Sequence, residues 1–369
     1  MRVALLGNYR EDRQESMLSF ESCLLVRLPS HGVEVSSIYP RCRLGSVGGG
    51  SMPNKWLAYL DKYLLFRSAL RRADGQYDLI HVMDHSSAMY CLALRRSKVL
   101  VTCHDMLAVR GAFEGLPGLE RSFLGKLQQR WIVSGLRAAD HVACVSEFTH
   151  RDVLRITGLT EDRTTLVLNS LYKPMEPLPQ EKTKVLLDRL GVPRDRPFLL
   201  NVSSGLHRKN RPWLLRLASA LRKAGQSFPI VIAGAGLSDQ LRELATKLGI
   251  EADIFSVERP SDEELQALYS GAFFFLFPSL FEGFGLPIIE AQSCGCPVIT
   301  SDREPMREVA AGSCPLIDPG DPEGSIATVL EAFRDRERWA EAAKRNAPRF
   351  HPDRMVREYV ELYQRLVTT

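Results

Sequence analysis

The stretch FFFLFPSLFEGFGLPIIEAQSCGCPVIT, at residues 273–300, constrains the fold of this 369-residue chain more than any other part of the sequence. Its uninterrupted apolar run from Phe273 to Phe277 is typical of a buried strand. Gly283 and Gly285 allow a tight turn with close backbone approach, and Pro287 favours the first position of a helix. The stretch therefore predicts a buried strand, a tight turn and a helix in direct succession.

Two carboxylates accompany the predicted turn: Glu282 lies within it, and Glu290 falls in the first turn of the predicted helix. The first N–H groups of a helix lack partners within the helix and lie at the positive end of its dipole, so they bind a diphosphate favourably. The carboxylates are available to hydroxyl groups of a sugar or a ribose. This combination predicts a nucleotide-sugar site. Its backbone lining would come from Gly283, Phe284, Gly285, Leu286 and Ile288.

Apolar strand-like runs alternate with amphipathic helical stretches along the whole chain, which is the pattern of parallel α/β sheets. The predicted strands fall in two series. They are Arg2–Leu6, Val33–Ile38, Leu79–Val82, Val99–Thr102, His141–Val145 and Thr165–Leu168, then Phe198–Ser203, Ile230–Ala233, Asp253–Phe255, Phe273–Phe277, Pro297–Thr300 and Pro315–Ile317. A proline-rich linker at residues 171–196 separates the series, so we expect two α/β domains.

The net charge of +4 permits anionic substrates or contact with a membrane surface, but no basic tract with interleaved aromatic residues suggests nucleic acid as a partner. The eight cysteines form neither a disulfide framework nor a CxxC metal motif, which favours reduced thiols and a cytoplasmic location. The start MRVALLGNYR is too short and too soon polar for a signal peptide. The apolar runs are too short to span a membrane, so we expect a soluble or peripheral protein.

Basic residues follow the first strand of the second series, in NVSSGLHRKN at residues 201–210. Ligands of open α/β sheets bind at the carboxyl ends of the strands, so Arg208 and Lys209 are expected near the ligand. Fixed cations or a metal ion must stabilise the charge of a departing diphosphate. No Asp-x-Asp metal motif is evident in the chain. The alternative interpretation is a solvated basic loop.

In the first series, VLVTCHDM ends a predicted strand with His104 and Asp105. A histidine in that position is expected to face the ligand rather than the core, although a lone histidine is more often structural. Asp105 is predicted to orient or cap its neighbours. Asp84 and His85 end a neighbouring strand and either line an acceptor site or cap the loop.

The order of these motifs resembles the retaining, nucleotide-sugar-dependent glycosyltransferases of group 1 and family 4. The resemblance rests on E-x7-E with FGLP between the glutamates, GCPVIT, a later DPGD, the VTxHD pattern at His104 and the VSEF turn at Ser146. It implies the GT-B architecture, with two Rossmann-like domains facing a cleft. Residues 1–172 would form the acceptor-binding domain, joined by a last helix at about 353–369, and residues 190–350 the nucleotide-sugar domain.

The resemblance also implies roles for individual residues. Glu290 would bind the ribose hydroxyls, while Glu282 and His104 would fix the donor sugar. Lys209 would bind the diphosphate without a metal ion. Many members carry an arginine where this chain has Ser204, and Arg208 or His207 is the expected substitute.

The implied reaction is transfer of a hexose from a nucleotide-diphosphate sugar, UDP- or GDP-linked, to a glycan, lipid-linked or small-molecule acceptor, without a cofactor. Two other classes remain open: a sugar-nucleotide epimerase of the same architecture and a non-catalytic binding scaffold.

KWLAYLDKYLLFRSALRRA, at residues 55–73, interleaves apolar and basic residues. It predicts either a membrane-surface helix or an amphipathic helix packed on the core.

Overall fold

The structure is a computed structural model, and it describes residues 1–12, 14–41, 61, 65–193 and 195–368. Internal contacts divide the chain into two compact units. Unit 1 comprises Met1–Lys173 and Pro352–Thr369, and unit 2 comprises Pro174–His351. The first unit is therefore built from two separate stretches of sequence, whereas the second is continuous.

Unit 1 contains a six-stranded parallel sheet with the strand order β2-β1-β3-β4-β5-β6. Its strands are β1 (Arg2–Leu6), β2 (Glu34–Ile38), β3 (Leu79–Val82), β4 (Lys98–Cys103), β5 (His141–Cys144) and β6 (Thr164–Leu166). Helices of this unit are α1 (Glu15–Arg27), α2 (Phe66–Ala73), α3 (Leu107–Phe113), α4 (Phe123–Ala138) and α5 (Glu147–Thr157). A 3-10 helix, His85–Ala93, follows β3.

The central strands of unit 1 are buried on both faces, which is why their sequences are largely apolar. On one face, Ile80 and Val101 belong to the core that includes Ile132 of α4. On the other face, Leu79 and Leu100 share a core with residues of α1 and of the last helix. Helices thus cover both sides of the sheet.

Unit 2 contains a second six-stranded parallel sheet, with the order β12-β11-β10-β7-β8-β9. Its strands are β7 (Leu199–Ser203), β8 (Ile230–Gly234), β9 (Ile254–Glu258), β10 (Phe274–Phe277), β11 (Val298–Ser301) and β12 (Leu316–Ile317). Its helices are α6 (Gln180–Arg189), α7 (Arg211–Lys223), α8 (Asp239–Leu248), α9 (Asp262–Gly271), α10 (Leu286–Ser293), α11 (Met306–Ala310), α12 (Ile326–Arg334) and α13 (Arg336–Asn346).

The strand order of unit 2 reverses direction between β7 and β10, which are neighbours in the sheet. The connections that leave these two strands run to opposite sides, so a crevice forms between them at the carboxyl edge. In unit 1 the corresponding reversal lies between β1 and β3. Open α/β sheets bind ligands at such points, and the polar residues predicted from the sequence lie there.

The last helix, α14 (Pro352–Thr368), packs on the unit 1 sheet through a buried polar network. His81 of β3 contacts the Tyr363 hydroxyl through Nδ1 and the Thr102 hydroxyl through Nε2, each at 2.7 Å. Thr102 in turn lies 2.8 Å from the hydroxyl of Tyr359. Each buried polar atom of the network has a partner, so these bonds fix the position of the helix without leaving a polar group unsatisfied.

All twelve strands predicted from the sequence are present, and the predicted fold class, two α/β units on parallel sheets, is confirmed. The largest difference is in β9, which continues three residues beyond the predicted end, to Glu258. Ser146 caps α5, and Ser261 forms a capping box with Glu264 at the start of α9.

The proposed membrane-surface segment at residues 55–73 falls partly outside the described residues, since 55–60 and 62–64 are among those not described. In its described part, Phe66 and Leu70 of α2 are buried, whereas Arg67, Arg71 and Arg72 are exposed. This part of the helix therefore uses its apolar face for the core. Within the described ranges, we find no helix with the length and apolar character needed to cross a bilayer.

Candidate functional site

Two loops of unit 2 meet at the carboxyl edge of the sheet, one after β7 and the other after β10. The Leu280 amide donates to the Arg208 carbonyl at 2.8 Å, and Arg208 Nη1 donates to the Phe281 carbonyl at 3.1 Å. Asn210 Nδ2 donates to the Pro278 carbonyl at 3.1 Å. These bonds hold the basic loop against the loop that carries Glu282.

The central feature of this edge is a carboxylate held between two cations. Lys209 Nζ donates to Glu282 Oε1 at 2.6 Å, and Arg208 Nη1 donates to Glu282 Oε2. The side chains are largely buried, with exposed fractions of 8% for Glu282, 11% for Lys209 and 24% for Arg208. Two cations and one anion leave a local surplus of positive charge, which favours an anionic ligand.

The same cluster controls the protonation of its members. Burial raises the pKa of Glu282, but the charges of Lys209 and Arg208 outweigh it and hold that pKa below its ordinary value. Burial and the charge of Arg208 lower the pKa of Lys209, and together they outweigh the contact with Glu282, which raises it. Lys209 Nζ also lies 5.1 Å from the centre of the Phe277 ring, an additional cation–π contact. Glu282 is therefore held as a carboxylate.

Helix α10 begins directly after the glycine turn, at Leu286, so Pro287 is its second residue rather than the predicted first. Gly285 has φ of +119°, and an added Cβ would lie 3.2 Å from Ile288 Cδ1. The Ile288 amide donates to the Gly285 carbonyl at 2.9 Å, and proline has no N–H. Ile288 is therefore not available as a donor, whereas the amides of Gly285 and Leu286 lie at the start of the helix.

Two other predicted lining residues are placed differently from the expectation. Phe284 is buried and packs edge-on against Phe350, with ring centres 5.7 Å apart, so only its backbone can serve the turn. Ser204 is exposed, and among the described residues its hydroxyl has no hydrogen bond. Arg208 and His207 were the expected substitutes for the arginine missing at this position. Arg208 contacts Glu282, whereas His207 is exposed.

Glu290 is the fifth residue of α10 and so lies in the second turn, not in the first turn as predicted. The reason is that the helix starts one residue earlier than expected. Its Oε2 accepts a hydrogen bond of 3.1 Å from the hydroxyl of Tyr269 on α9. Burial, followed by the Glu290 charge, raises the pKa of Tyr269 well above its ordinary value, so the hydroxyl stays protonated and orients the carboxylate.

Sequence reasoning missed Tyr269 and two residues that organise the basic loop. Asn210 adopts a left-handed conformation, φ 54°, and its side chain also donates to the Pro319 carbonyl at 2.8 Å. Arg211 is buried and donates to Ser203 Oγ and to the Gly236 carbonyl, each at 3.0 Å, which joins the loops after β7 and β8. Asparagine tolerates the left-handed region, so the RKN sequence contained a signal for Asn210.

In unit 1, His104 follows directly after β4 and is buried. Its Nε2 lies 3.0 Å from the Met83 carbonyl, so Nε2 carries the proton and Nδ1 is the acceptor of the neutral ring. The ring packs edge-on against Phe20 at 5.0 Å. Burial lowers the pKa of His104, which keeps it neutral. Asp105 accepts from the Leu107 amide at 2.9 Å and acts as the predicted cap.

A small polar cavity of about 150 Å³ lies near the reversal between β1 and β3. Asn8 lines it, is 7% exposed, and donates from Nδ2 to Asp84 Oδ2 at 2.7 Å, while its Oδ1 has no partner among the described residues. Asp84 itself caps the following 3-10 helix through the Ser86 amide at 3.0 Å, which favours the capping interpretation. The cavity is lined by Asn8, Tyr9, Asp12, Gln14, Pro40, Ser86, Ser87, Met89, Tyr90 and Gln128.

An ion pair lies beside this cavity. His85 Nδ1 is 3.1 Å from Asp84 Oδ1, and both side chains are buried. Burial lowers the pKa of His85, but the contact with Asp84 prevails and raises it. Burial raises the pKa of Asp84, but the contact with His85 and the hydrogen bond from the Ser86 side chain hold that pKa below its ordinary value. The edge of unit 1 therefore holds an anionic carboxylate.

Comparison with known families matches both units separately. Residues 184–348 match the model described as glycosyl transferases group 1, and residues 24–171 match the model described as glycosyltransferase family 4. The O-antigen chain mannosyltransferase B of Escherichia coli is 27% identical over 327 residues, which cover 85% of this chain and 82% of that protein.

Two solved structures share the fold over almost the whole chain. Sucrose-phosphate synthase from Thermosynechococcus elongatus has a TM-score of 0.77 at 18% identity, covering 100% of this chain and 99% of that one. HepE of Anabaena, in complex with UDP and glucose, has a TM-score of 0.74 at 16% identity and covers 99% of each chain. The two α/β units thus have the GT-B fold.

Proposed function

Because the chain belongs to the group 1 and family 4 glycosyltransferases and is an enzyme of the transferase class, we propose that it moves a hexose from a nucleotide-diphosphate sugar to an acceptor hydroxyl, with retention of configuration and without a metal ion. One observation carries the proposal: Lys209 and Arg208 converge on Glu282 beside the start of α10. This is where a departing diphosphate needs positive charge.

The proposed diphosphate site combines two sources of stabilisation. Lys209 and Arg208 supply formal charge, and the amides of Gly285 and Leu286 supply donors at the positive end of the α10 dipole. Removing one such donor in an enzyme typically costs about 3 kcal/mol of transition-state stabilisation. Fixed cations of this kind do the work that a metal ion would otherwise do, which supports a metal-independent reaction.

The two glutamates have different environments, which supports different roles. Glu282 keeps both cations in place and offers its remaining lone pairs to a hydroxyl of the donor sugar. Glu290 is oriented by Tyr269 and is proposed to bind the ribose hydroxyls. We propose UDP or GDP as the nucleotide, since HepE was solved with UDP and the Escherichia coli relative is a mannosyltransferase.

In the proposed reaction, the bond between the sugar C1 and the phosphate oxygen breaks, and its electron pair leaves with the diphosphate. The acceptor oxygen forms a bond to C1 on the same face, and its proton passes to the leaving phosphate oxygen. The transition state resembles an oxocarbenium ion. The protein contributes fixed charge and orientation, and no side chain acts as a nucleophile.

We propose that the acceptor, a glycan, lipid-linked or small-molecule hydroxyl, binds in unit 1 at the polar cavity. Oδ1 of buried Asn8, which has no hydrogen-bond partner in the described part of the chain, supports this, because an amide oxygen accepts hydrogen bonds and a ligand hydroxyl supplies one. His104, neutral and held by the Met83 carbonyl, is proposed to engage the donor sugar through its Nδ1.

We propose a cytoplasmic location, which the free, buried thiols of the seven described cysteines support.

Thermal stabilisation by UDP-, GDP- and ADP-sugars, with and without a chelator, tests the donor site. One nucleotide should raise the melting temperature regardless of chelator, and Glu290→Gln should lose most of that shift. Glu331→Gln, on the exposed side of α12, is the matched control and should respond like the wild type. Stabilisation that needs a divalent metal, or that survives unchanged in Glu290→Gln, would contradict the proposed site.

Product analysis then distinguishes transfer from other reactions at the same site. With donor and acceptor together, the sugar should appear on the acceptor with its anomeric configuration retained. Without acceptor, the donor should persist apart from slow hydrolysis. An altered nucleotide sugar formed without acceptor would identify an epimerase instead, and donor binding with no product in either case would identify a binding scaffold.

A further inference from the structure

The surface of unit 1 carries apolar side chains that the folding of this unit does not require. Phe113, Phe123, Leu124 and Leu127 have exposed fractions of 46%, 79%, 64% and 54%. We call these four residues the α3–α4 surface. The other large apolar side chains that are similarly exposed within the described part of the chain are scattered over both units, at Val26, Val185, Leu206 and Val367. Scattered exposure is ordinary, whereas clustering within fifteen residues indicates an interaction surface.

The packing of helix α4 explains why three of these side chains lie outside the core. Its buried face is formed by Gln129, Ile132, Val133 and Leu136, with the spacing of an amphipathic helix packed on a core. At about 100° per residue, Phe123, Leu124 and Leu127 fall on the opposite side of the helix. The helix therefore has a second apolar face over its first two turns, with no role in the core of unit 1.

Basic side chains surround this second face. Between residues 116 and 130, the exposed charges are Arg121, Lys126 and Arg130 against Glu120, so three minus one gives +2. The Arg130 guanidinium lies 5.8 Å from the centre of the Phe113 ring, which places charge at the edge of the apolar residues. The neighbouring Glu114 is neutralised by Arg110 and Arg155. Apolar side chains bordered by lysine and arginine suit an anionic membrane surface.

We propose that the α3–α4 surface docks unit 1 on an anionic phospholipid bilayer. Phe123, Leu124 and Leu127 enter the interface between headgroups and acyl chains, and the surrounding cations contact lipid phosphates. The contact is peripheral. This docking is separate from sugar transfer and does not involve the donor site. The surface also differs from residues 55–73, where Phe66 and Leu70 are buried.

Co-sedimentation of the full chain with vesicles tests this surface. Wild-type protein should bind vesicles containing phosphatidylglycerol, bind phosphatidylcholine vesicles less, and lose affinity as salt is added. The double variant Phe123→Ser with Leu124→Ser should bind anionic vesicles roughly tenfold more weakly or worse. Val26→Ser, which removes a 71%-exposed apolar side chain from α1, is the matched control and should bind like the wild type.

Several results would overturn the proposal. Wild-type protein that stays in the supernatant, a double variant that binds as well as wild type, or an equal loss in Val26→Ser would each do so. So would a wild-type dimer, seen by light scattering, that the double variant abolishes while vesicle binding persists, because the surface would then pair two copies of the chain.

Two further measurements keep these results interpretable. Both variants replace exposed side chains, so their melting temperatures should match the wild type and show that the fold is intact. Stabilisation by nucleotide sugars is measured on the same samples. Loss of vesicle binding with intact donor stabilisation supports the docking surface, whereas absent donor stabilisation in the wild type counts against the proposed transfer reaction alone.

Discussion

Lys209 Nζ lies 2.6 Å from Glu282 Oε1, although 73 positions separate the two residues in the sequence. The strand order explains the distance, because β7 and β10 are neighbours and each residue follows one of them. Glu282 holds Lys209 and Arg208 at one place before any substrate binds, so the site need not collect dispersed charges during the reaction.

Replacing Lys209 with alanine should lower kcat by roughly 100- to 1000-fold, because a buried cation next to the departing diphosphate is lost. Steady-state kinetics with the donor identified by thermal stabilisation measure the effect. Lys247→Ala, which removes an exposed lysine from α8 of the same unit, should leave kcat unchanged. Near-normal turnover in Lys209→Ala would remove this lysine from the proposed mechanism.

Glu282→Gln should lower kcat/KM by roughly 10- to 100-fold, the loss of about 1.5–3 kcal/mol expected for hydrogen bonds to a charged group. The glutamine also withdraws the charge that raises the pKa of Lys209, so that pKa should fall farther below its ordinary value. In a plot of kcat/KM against pH, the alkaline limb should therefore lie at lower pH in the variant than in the wild type. A limb at the wild-type position would show that Lys209 does not titrate in this profile.

Tyr269→Phe should raise the KM for the donor about three- to tenfold while changing kcat little, because one neutral hydroxyl that orients Glu290 contributes about 0.5–1.5 kcal/mol. Phenylalanine keeps the ring contact with Phe275, whose centre lies 5.3 Å away, so packing should survive. Donor KM and melting temperature are measured together. A large fall in melting temperature with unchanged KM would assign Tyr269 to stability alone.

Acid should destabilise unit 1 through His81. The pKa of this histidine is about 3 in the folded protein, lowered mainly by burial, against an ordinary value of 6.5. The unfolded chain thus binds a proton that the folded chain does not, so His81 leaves stability intact above pH 6.5 and lowers it as the pH falls from 6.5 toward 3. For one such group, the free energy of unfolding falls by about 1.4 kcal/mol for each pH unit in this range.

Denaturant unfolding at several pH values measures this slope. Burial and nearby arginines also lower the pKa of His141, to about 4, so the wild type should lose stability through both groups. His81→Gln should be less stable at neutral pH, since its network with Tyr363 and Thr102 is disturbed, but its slope should be smaller by one proton. His31→Gln, which replaces an exposed histidine, should keep the wild-type slope.

Strand positions were predictable because parallel strands covered on both faces are mostly apolar. In β10, four consecutive buried residues end just before the turn that carries Glu282, and the sequence FFLF shows this directly. The carboxyl ends of these strands then place the polar residues of the site at one edge. Lys209 and Glu282 could therefore be assigned to one site from their strands alone.

Side-chain partners were harder to predict because they depend on distant elements. Both Arg208 and Lys209 contact Glu282, yet nothing near RKN in the sequence specifies that carboxylate. Tyr269 reaches Glu290 from α9, and its surroundings indicated only a capped helix. A one-residue error in the start of α10 was enough to move Glu290 into the next turn.

The return of α14 to the unit 1 sheet has a consequence for biosynthesis. During translation, all of Pro174–His351 leaves the ribosome before the helix that completes the first core. Until then, Phe20 and Leu24 lack the apolar residues of α14 with which they share a core, and His81 Nδ1 lacks the Tyr363 hydroxyl. Unit 2 can therefore fold on the nascent chain, whereas unit 1 completes its core only after α14 has been made.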